Sequence, residues 1–225
     1  MMQADFVGRN KEKEEMLDAF HSNRPEFIAL YGRRRVGKTF LVRSLFKNDY
    51  AFHMTAILQR DTELQLQNFT ESLVQYGHQN TSVAKDWFEA FKRLRELLEH
   101  ANRKRKVVFI DEMPWLDTKG SNFTAALENF WNGWASGEND IMLIVCGSAA
   151  SWIVQKLLKS HGGLHNRVTR RILLEPFTLS ECKEYCVRQG LATDSLSLVN
   201  MYMFIGGIRL NASRSATCHS KCNAI

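Results

Sequence analysis

Proline is scarce in this sequence, three in 225 residues, so few backbone breaks are imposed and no Pro-rich linker divides the chain. Long hydrophobic runs are missing too. The strongest, residues 107–110 and 141–146, fall far short of the roughly eighteen consecutive apolar residues that a membrane span needs. The start, Met1-Met2-Gln3-Ala4-Asp5, lacks the basic opening and apolar stretch of a secretory signal. Cysteines number five; an odd count without a repeating framework excludes a disulfide scaffold and reads as reduced intracellular thiols. Charge of one sign is hardly in excess: 30 Lys and Arg against 24 Asp and Glu leave +6. Arg209, Arg214 and Lys221, in an acid-free tail, hold half of that surplus, so charge alone does not name a nucleic-acid binder. No internal repeat or low-complexity tract is present, which excludes collagen and coiled coil.

What remains is 44 % hydrophobic and 24 % charged residues, enough to bury a core. The length suits one large domain with part of a second. A soluble cytoplasmic globular protein is the expectation.

Short β-type runs alternate with helical patterns. Phe27-Ile28-Ala29-Leu30-Tyr31 is apolar on both parities, as a strand covered on both faces should be. Residues 50–55, 107–110 and 141–146 read the same way, and 171–174 more weakly. Helical spacing marks 39–46, the stretch from Leu64 to Tyr76, the segment 84–101, and Ala125, Leu127, Phe130, Trp131 and Trp134. Such alternation predicts an α/β fold, a three-layer core with a parallel sheet between helix layers. After Leu174-Glu175-Pro176 the strand signal stops. Thr178-Leu179-Ser180-Glu181 has capping-box spacing ahead of a helix 181–188, and a second helix is expected from Ser195 to Phe204, ending at Gly206-Gly207. The division predicted is a core over 1–176, a partial helical lid over 177–208 and a disordered or non-native tail over 209–225.

Gly32-Arg33-Arg34-Arg35-Val36-Gly37-Lys38-Thr39 fills every fixed position of G-x-x-x-x-G-K-[ST], with a buried strand before it and a helix after it. Glycines let backbone N–H groups approach phosphate oxygens, and the helix N-terminus adds orphan donors and partial positive charge. Gly32, Arg35, Val36, Gly37, Lys38, Thr39 and Phe40 are the expected cradle; Lys38 neutralises β and γ oxygens, and the Thr39 hydroxyl is a hard ligand for Mg²⁺. Arg33 and Arg34 are expected to point to solvent. Val107-Val108-Phe109-Ile110 runs into Asp111-Glu112. A carboxylate at the carboxyl end of a parallel strand suits Asp111 to Mg²⁺, and Glu112 to drawing a proton from an attacking water.

The order Gly32–Thr39, Ile110-Asp111-Glu112 and Cys146-Gly147-Ser148 is that of the Walker A, Walker B and sensor 1 elements of AAA-type ATPases. More closely, the chain resembles the bacterial and archaeal ATPases of the STAND-related group whose phosphate loop reads GRRRVGKT. Phe6-Val7-Gly8-Arg9, followed by Glu12 and Glu15, looks like their opening segment, which implies Val7, Gly8 and Arg9 beside the adenine of ATP. The resemblance implies Ser148 as the sensor contacting the γ-phosphate or the water. Asn166-Arg167 ahead of Leu174-Glu175-Pro176-Phe177 implies Arg167 as an arginine reaching a γ-phosphate, with a neighbouring subunit of a homo-oligomer as one place for it. Two departures stand out. The family's Gly-Gly-x-Pro reads Gly206-Gly207-Ile208-Arg209 here, and the winged-helix lid and nuclease-like domain that follow in the family do not fit into the remaining residues. The sequence therefore reads as cut before those domains.

Weaker signals have structural readings beside functional ones. Cys182, Cys186, Cys218 and Cys222 have a spacing open to zinc, although helical thiols are more often packed. Arg103-Lys104-Arg105-Lys106 could touch nucleic-acid phosphates, but cations after the helix 84–101 also complement its negative pole. Trp115, Trp131 and Trp134 suggest core more than base stacking. His161-Gly162-Gly163-Leu164-His165 reads as a loop delivering Arg167. Three functions stay open: an ATPase used as a switch or motor, a nucleotide-dependent module that does not hydrolyse, and a nucleic-acid-stimulated ATPase. The partner, protein or nucleic acid, is unnamed by the sequence, and no membrane is expected.

Overall fold

A computed structural model describes residues 7–148, 152–158, 163–164, 166–191 and 194–207. Phe6, His161, Gly162, His165, Cys218, Cys222 and the 209–225 tail lie outside the described residues. Five strands, β1 (Glu26–Tyr31), β2 (Tyr50–Thr55), β3 (Lys106–Asp111), β4 (Ile141–Gly147) and β5 (Arg170–Leu173), form one sheet in the order β2-β3-β4-β1-β5. All its pairings are parallel. The helices are α1 (Asn10–His21), α2 (Lys38–Phe46), α3 (Thr62–Gln75), α4 (Trp87–His100), α5 (Phe123–Gly133), α6 (Leu179–Arg188) and α7 (Ser195–Ile205).

The two-parity apolar strands bury both faces because helices cover both. Phe27, Ala29, Val108, Ile110, Leu143 and Val145 face α3, α4 and α5 through Phe69, Trp87, Phe91, Leu127 and Trp131. The alternate residues Ile28, Leu30, Val107, Phe109, Met142 and Ile144 face α1 and α2 through Met16, Ala19, Leu41, Val42 and Phe46. Phe27 and Trp131 rings stand 4.8 Å apart, and a buried aromatic of this size contributes about 3–5 kcal/mol relative to alanine. From β1 the chain crosses to β2 at one edge, whereas from β4 it crosses to β5 at the other. The order thus reverses between β1 and β4, and the crevice at their carboxyl ends is the place for a ligand in an open parallel sheet.

Several expectations shift in detail. Strand β5 starts one residue earlier than the 171–174 reading, pairing Arg170–Leu173 with Ile28–Tyr31. Trp131 is buried, but Trp134 falls just past α5 and is only partly covered. The run Arg103–Lys106 does not simply solvate a turn. Arg105 is 7 % exposed and donates to the carbonyls of Ala19, Arg24 and Asn139, tying α1 to the start of the sheet, while Lys106 pairs with Asp140 at 2.8 Å.

Beyond β5, α6 begins with the full capping box: Glu181 N–H donates to Thr178 Oγ1, and Thr178 N–H donates to Glu181 Oε2. Phe177, Cys182, Cys186 and Leu198 make a small separate core, and the Phe177 N–H donates to the Gly207 carbonyl at 2.9 Å. Burial first, then the neighbouring Cys186, pushes the Cys182 thiol up to about 11, so it is a packed, protonated group at neutral pH. Among the described residues no helix is long and apolar enough to cross a membrane.

Candidate functional site

Residues 32–37 make the bend between β1 and α2. Gly32 has φ +147° and Gly37 φ +98°, regions that favour glycine. A Cβ on Gly32 would lie 2.2 Å from the Leu174 carbonyl oxygen, because β5 runs beside β1. Gly32→Ala is therefore expected to force the loop away from β5, lowering the melting temperature and weakening nucleotide binding together. An alanine variant that melts and binds like the parent would contradict this packing. Gly37 caps α2 without a side chain, and the first helical bond is Leu41 N–H to the Gly37 carbonyl. The amides before it lie outside the helical ladder and point toward any anion in the crevice.

Lys38, 5 % exposed, curls back over this bend and donates Nζ to the carbonyls of Gly32 at 3.0 Å and Arg33 at 2.9 Å. Thr39 Oγ1 donates to Asp111 Oδ2 at 2.7 Å, bringing together two residues 72 positions apart. The other oxygen, Asp111 Oδ1, accepts from the Glu112 N–H at 3.0 Å. Glu112 has φ +52° and turns its carboxylate toward β4, where Oε2 accepts from the Ser148 N–H at 3.1 Å and Ser148 Oγ at 2.9 Å. The crevice thus joins one ammonium, two carboxylates and two hydroxyls. Cys146 lies under it, fully buried; burial first, then the Asp111 carboxylate, pushes its thiol far above the usual range. It serves there as a neutral packing group.

At the side of the loop, Val7, Arg9, Val36, Gly37, Phe40, Leu174 and Phe177 line a small, mainly apolar pocket. Arg9 is buried. Its guanidinium stands 4.8 Å from the Phe177 ring centroid and donates to the Glu175 carbonyl, and the Arg9 backbone N–H donates to Glu181 Oε1 at 3.0 Å. Gly8 and Arg9 are therefore clamped from α6. In the sequence Phe177 belongs to a motif and Glu181 to a helix cap; their contact with a segment about 170 residues earlier has no local signature.

Arg167 is not brought to this crevice. It is exposed, in the turn before β5. Thr169, two residues on, donates its N–H to the Phe27 carbonyl at 2.9 Å, at the start of β1. Gly32 lies five residues further along, roughly 17 Å at about 3.3 Å per residue. Arg167 thus occupies the opposite end of the sheet from its own phosphate loop. Arg33 and Arg35 are exposed, and Arg35 has φ +67°. Arg34 is exposed as well but is not simply solvated: its Nε lies 3.4 Å from Ser148 Oγ.

Residues 6–208 match a family model described as an ATPase domain predominantly from Archaea. An uncharacterized protein of Methanocaldococcus jannaschii, MJECL04, is 26 % identical over 206 residues, covering 90 % of this chain and 42 % of that protein. The Walker-type ATPase PABY2304 of Pyrococcus abyssi superposes with a TM-score of 0.65 at 18 % identity, over 91 % of this chain and 65 % of that one. The Aeropyrum pernix ORC2 protein, in ADPNP and ADP complexes, does so with a TM-score of 0.59 at 12 % identity, over 83 % and 54 %. The chain spans less than half of its M. jannaschii relative and less than two thirds of both solved structures. The likeness to the solved structures is one of fold, a parallel sheet with flanking helices. With nine-tenths of its length matched by one model, the chain belongs to the family of ATPase domains found predominantly in Archaea.

Proposed function

We propose that the chain binds Mg-ATP in the crevice between β1 and β4 and hydrolyses it to ADP and phosphate, as a conformational switch or motor of the STAND-related kind. The observation that carries this reading is the convergence of Lys38, Thr39–Asp111 and Ser148–Glu112 on one loop end. Gly32, Arg35, Val36, Gly37, Lys38 and Thr39 hold the phosphates, with Lys38 exchanging its two carbonyl partners for phosphate oxygens. Val7, Gly8 and Arg9, with Phe40 and Phe177, flank the base. The donor set fits Mg²⁺: Thr39 Oγ1 and Asp111 Oδ2, hard oxygens already 2.7 Å apart, would hold it. That ion supplies charge neutralisation on the phosphate oxygens.

In the chemical step, a water oxygen forms a bond to the γ-phosphorus while the bond to the β–γ bridging oxygen breaks and its electron pair leaves with ADP. Glu112 takes the proton of the water, and Ser148, which now donates to Glu112, orients the carboxylate and the water. Lys38 offsets charge on the transferred group. Residues 1–176 act as the core and 177–208 as a partial lid, with Glu181 holding Gly8 and Arg9 from the lid side. Arg167, exposed and at the far end of the sheet, fits service to a γ-phosphate in a neighbouring subunit of a homo-oligomer rather than in its own.

A second reading has its own observation. Both Ser148 donors already occupy one Glu112 oxygen, so a chain that never releases this carboxylate would hold ATP without turnover and act as a nucleotide-dependent module. The nucleic-acid-stimulated version loses part of its basis, since Arg105 is buried and Lys106 paired. Fluorescent-nucleotide titration combined with a phosphate-release assay separates these. Binding with release is expected. Binding without release selects the module, release that rises with DNA and falls steeply with salt selects the third, and absence of binding overturns all.

A further inference from the structure

Arg34, the second arginine of the phosphate loop, has a neighbourhood that its exposure does not suggest. Its Nε lies 3.4 Å from Ser148 Oγ, and its guanidinium stands 6.0 Å from the Trp115 ring centroid. Both contacts leave the loop for the two segments that follow β4 and β3, the segments carrying Ser148 and Glu112. Ser148 Oγ passes the interaction on, donating to Glu112 Oε2 at 2.9 Å. Arg34, Ser148 and Glu112 therefore form one hydrogen-bonded chain at the end of the loop remote from the apolar pocket of Val7, Phe40 and Phe177. On the nucleotide-site reading above, a base on the Val7 and Phe177 side with phosphates running along the loop would bring the last phosphate to this chain.

We propose that Arg34 is a ligand of the terminal phosphate, supplied by the chain's own loop, and that it distinguishes a nucleoside triphosphate from a diphosphate. This rests on the nucleotide-site reading above. The helix amides and Lys38 meet phosphates that both nucleotides share. Arg34 stands where only the third is present, and a guanidinium offers a planar pair of donors that matches two phosphate oxygens. Its resting place against the face of Trp115 keeps the cation near the site without burying it, so moving to phosphate costs little desolvation. Once the terminal phosphate has left, the guanidinium returns to Ser148.

The test is competitive titration of ATP and of ADP against a fluorescent nucleotide, on the parent chain and on Arg34→Ala, Arg34→Lys and Lys38→Ala. The parent is expected to prefer ATP. Arg34→Ala should keep ADP affinity within about twofold and lose about tenfold in ATP affinity, the lower end for a charge-assisted contact because the side chain is solvated. Arg34→Lys should recover part of the preference, and Lys38→Ala should lose both nucleotides. Melting curves establish that the variants fold, and Arg34→Gln replaces the alanine if it does not. A parent without ATP preference, or a preference that survives loss of the guanidinium, overturns the Arg34 assignment and leaves the site standing. A parent that binds neither nucleotide overturns the site itself.

Discussion

Lys38→Ala is expected to weaken ATP binding at least 100-fold, about 2.7 kcal/mol. The ammonium is buried, and its partners are the carbonyls of Gly32 and Arg33 within its own loop. Lys38 is the buried cation of the bend, whereas the three loop arginines are exposed, where water and salt screen their charge more strongly. Removing Lys38 also strands two carbonyls. A buried acceptor left unpaired costs about 1–3 kcal/mol, so the variant should melt lower than the parent. Lys38→Met, which keeps the stem, separates the two effects: its melting temperature should recover more than its ATP affinity. Equal ATP affinity in parent and alanine variant would remove Lys38 from the site.

Glu112→Gln is expected to leave ATP affinity within a few-fold and to lower single-turnover phosphate release by about 10²–10⁴, the range for a lost general base. The amide oxygen can still accept from the Ser148 N–H and hydroxyl, so the turn at Glu112, with its positive φ, is preserved. What disappears is an oxygen able to take a proton. Glu112→Ala is a harsher change because it also strands both Ser148 donors, and its loss of turnover would not separate base from scaffold. Release that continues unchanged in the glutamine variant would assign the base elsewhere and leave Glu112 as an anchor for Ser148.

Much of this architecture was legible because its causes are local. Strands apolar on both parities need cover on both faces, and residues 27–31, 107–110 and 141–146 split between the two face clusters by alternation alone. The phosphate loop was legible because positive φ and close backbone approach demand glycine at fixed offsets. What escaped depends on long-range placement. Nothing near Arg9 says that Glu181 will accept its N–H or that Phe177 will lie against its guanidinium. Nothing near Arg105 says that carbonyls from three other segments will surround it, and a run of four cations reads as a solvated turn. Arg34 escaped for a related reason. Loop side chains usually face water, and only the course of β3 and β4 beside the loop brings Ser148 and Trp115 within its reach. Strand direction, likewise, places Arg167 at the start of β1 rather than at its end.

The most direct measurement is a crystal structure of the chain with Mg²⁺ and a non-hydrolysable ATP analogue. The triphosphate is expected against residues 32–39, with Lys38 Nζ moved from the Gly32 and Arg33 carbonyls onto phosphate oxygens and the metal between Thr39 and Asp111. An analogue seated elsewhere, for example in the groove lined by Arg103, Lys104 and Asp140, with Lys38 still on its two carbonyls, would contradict it.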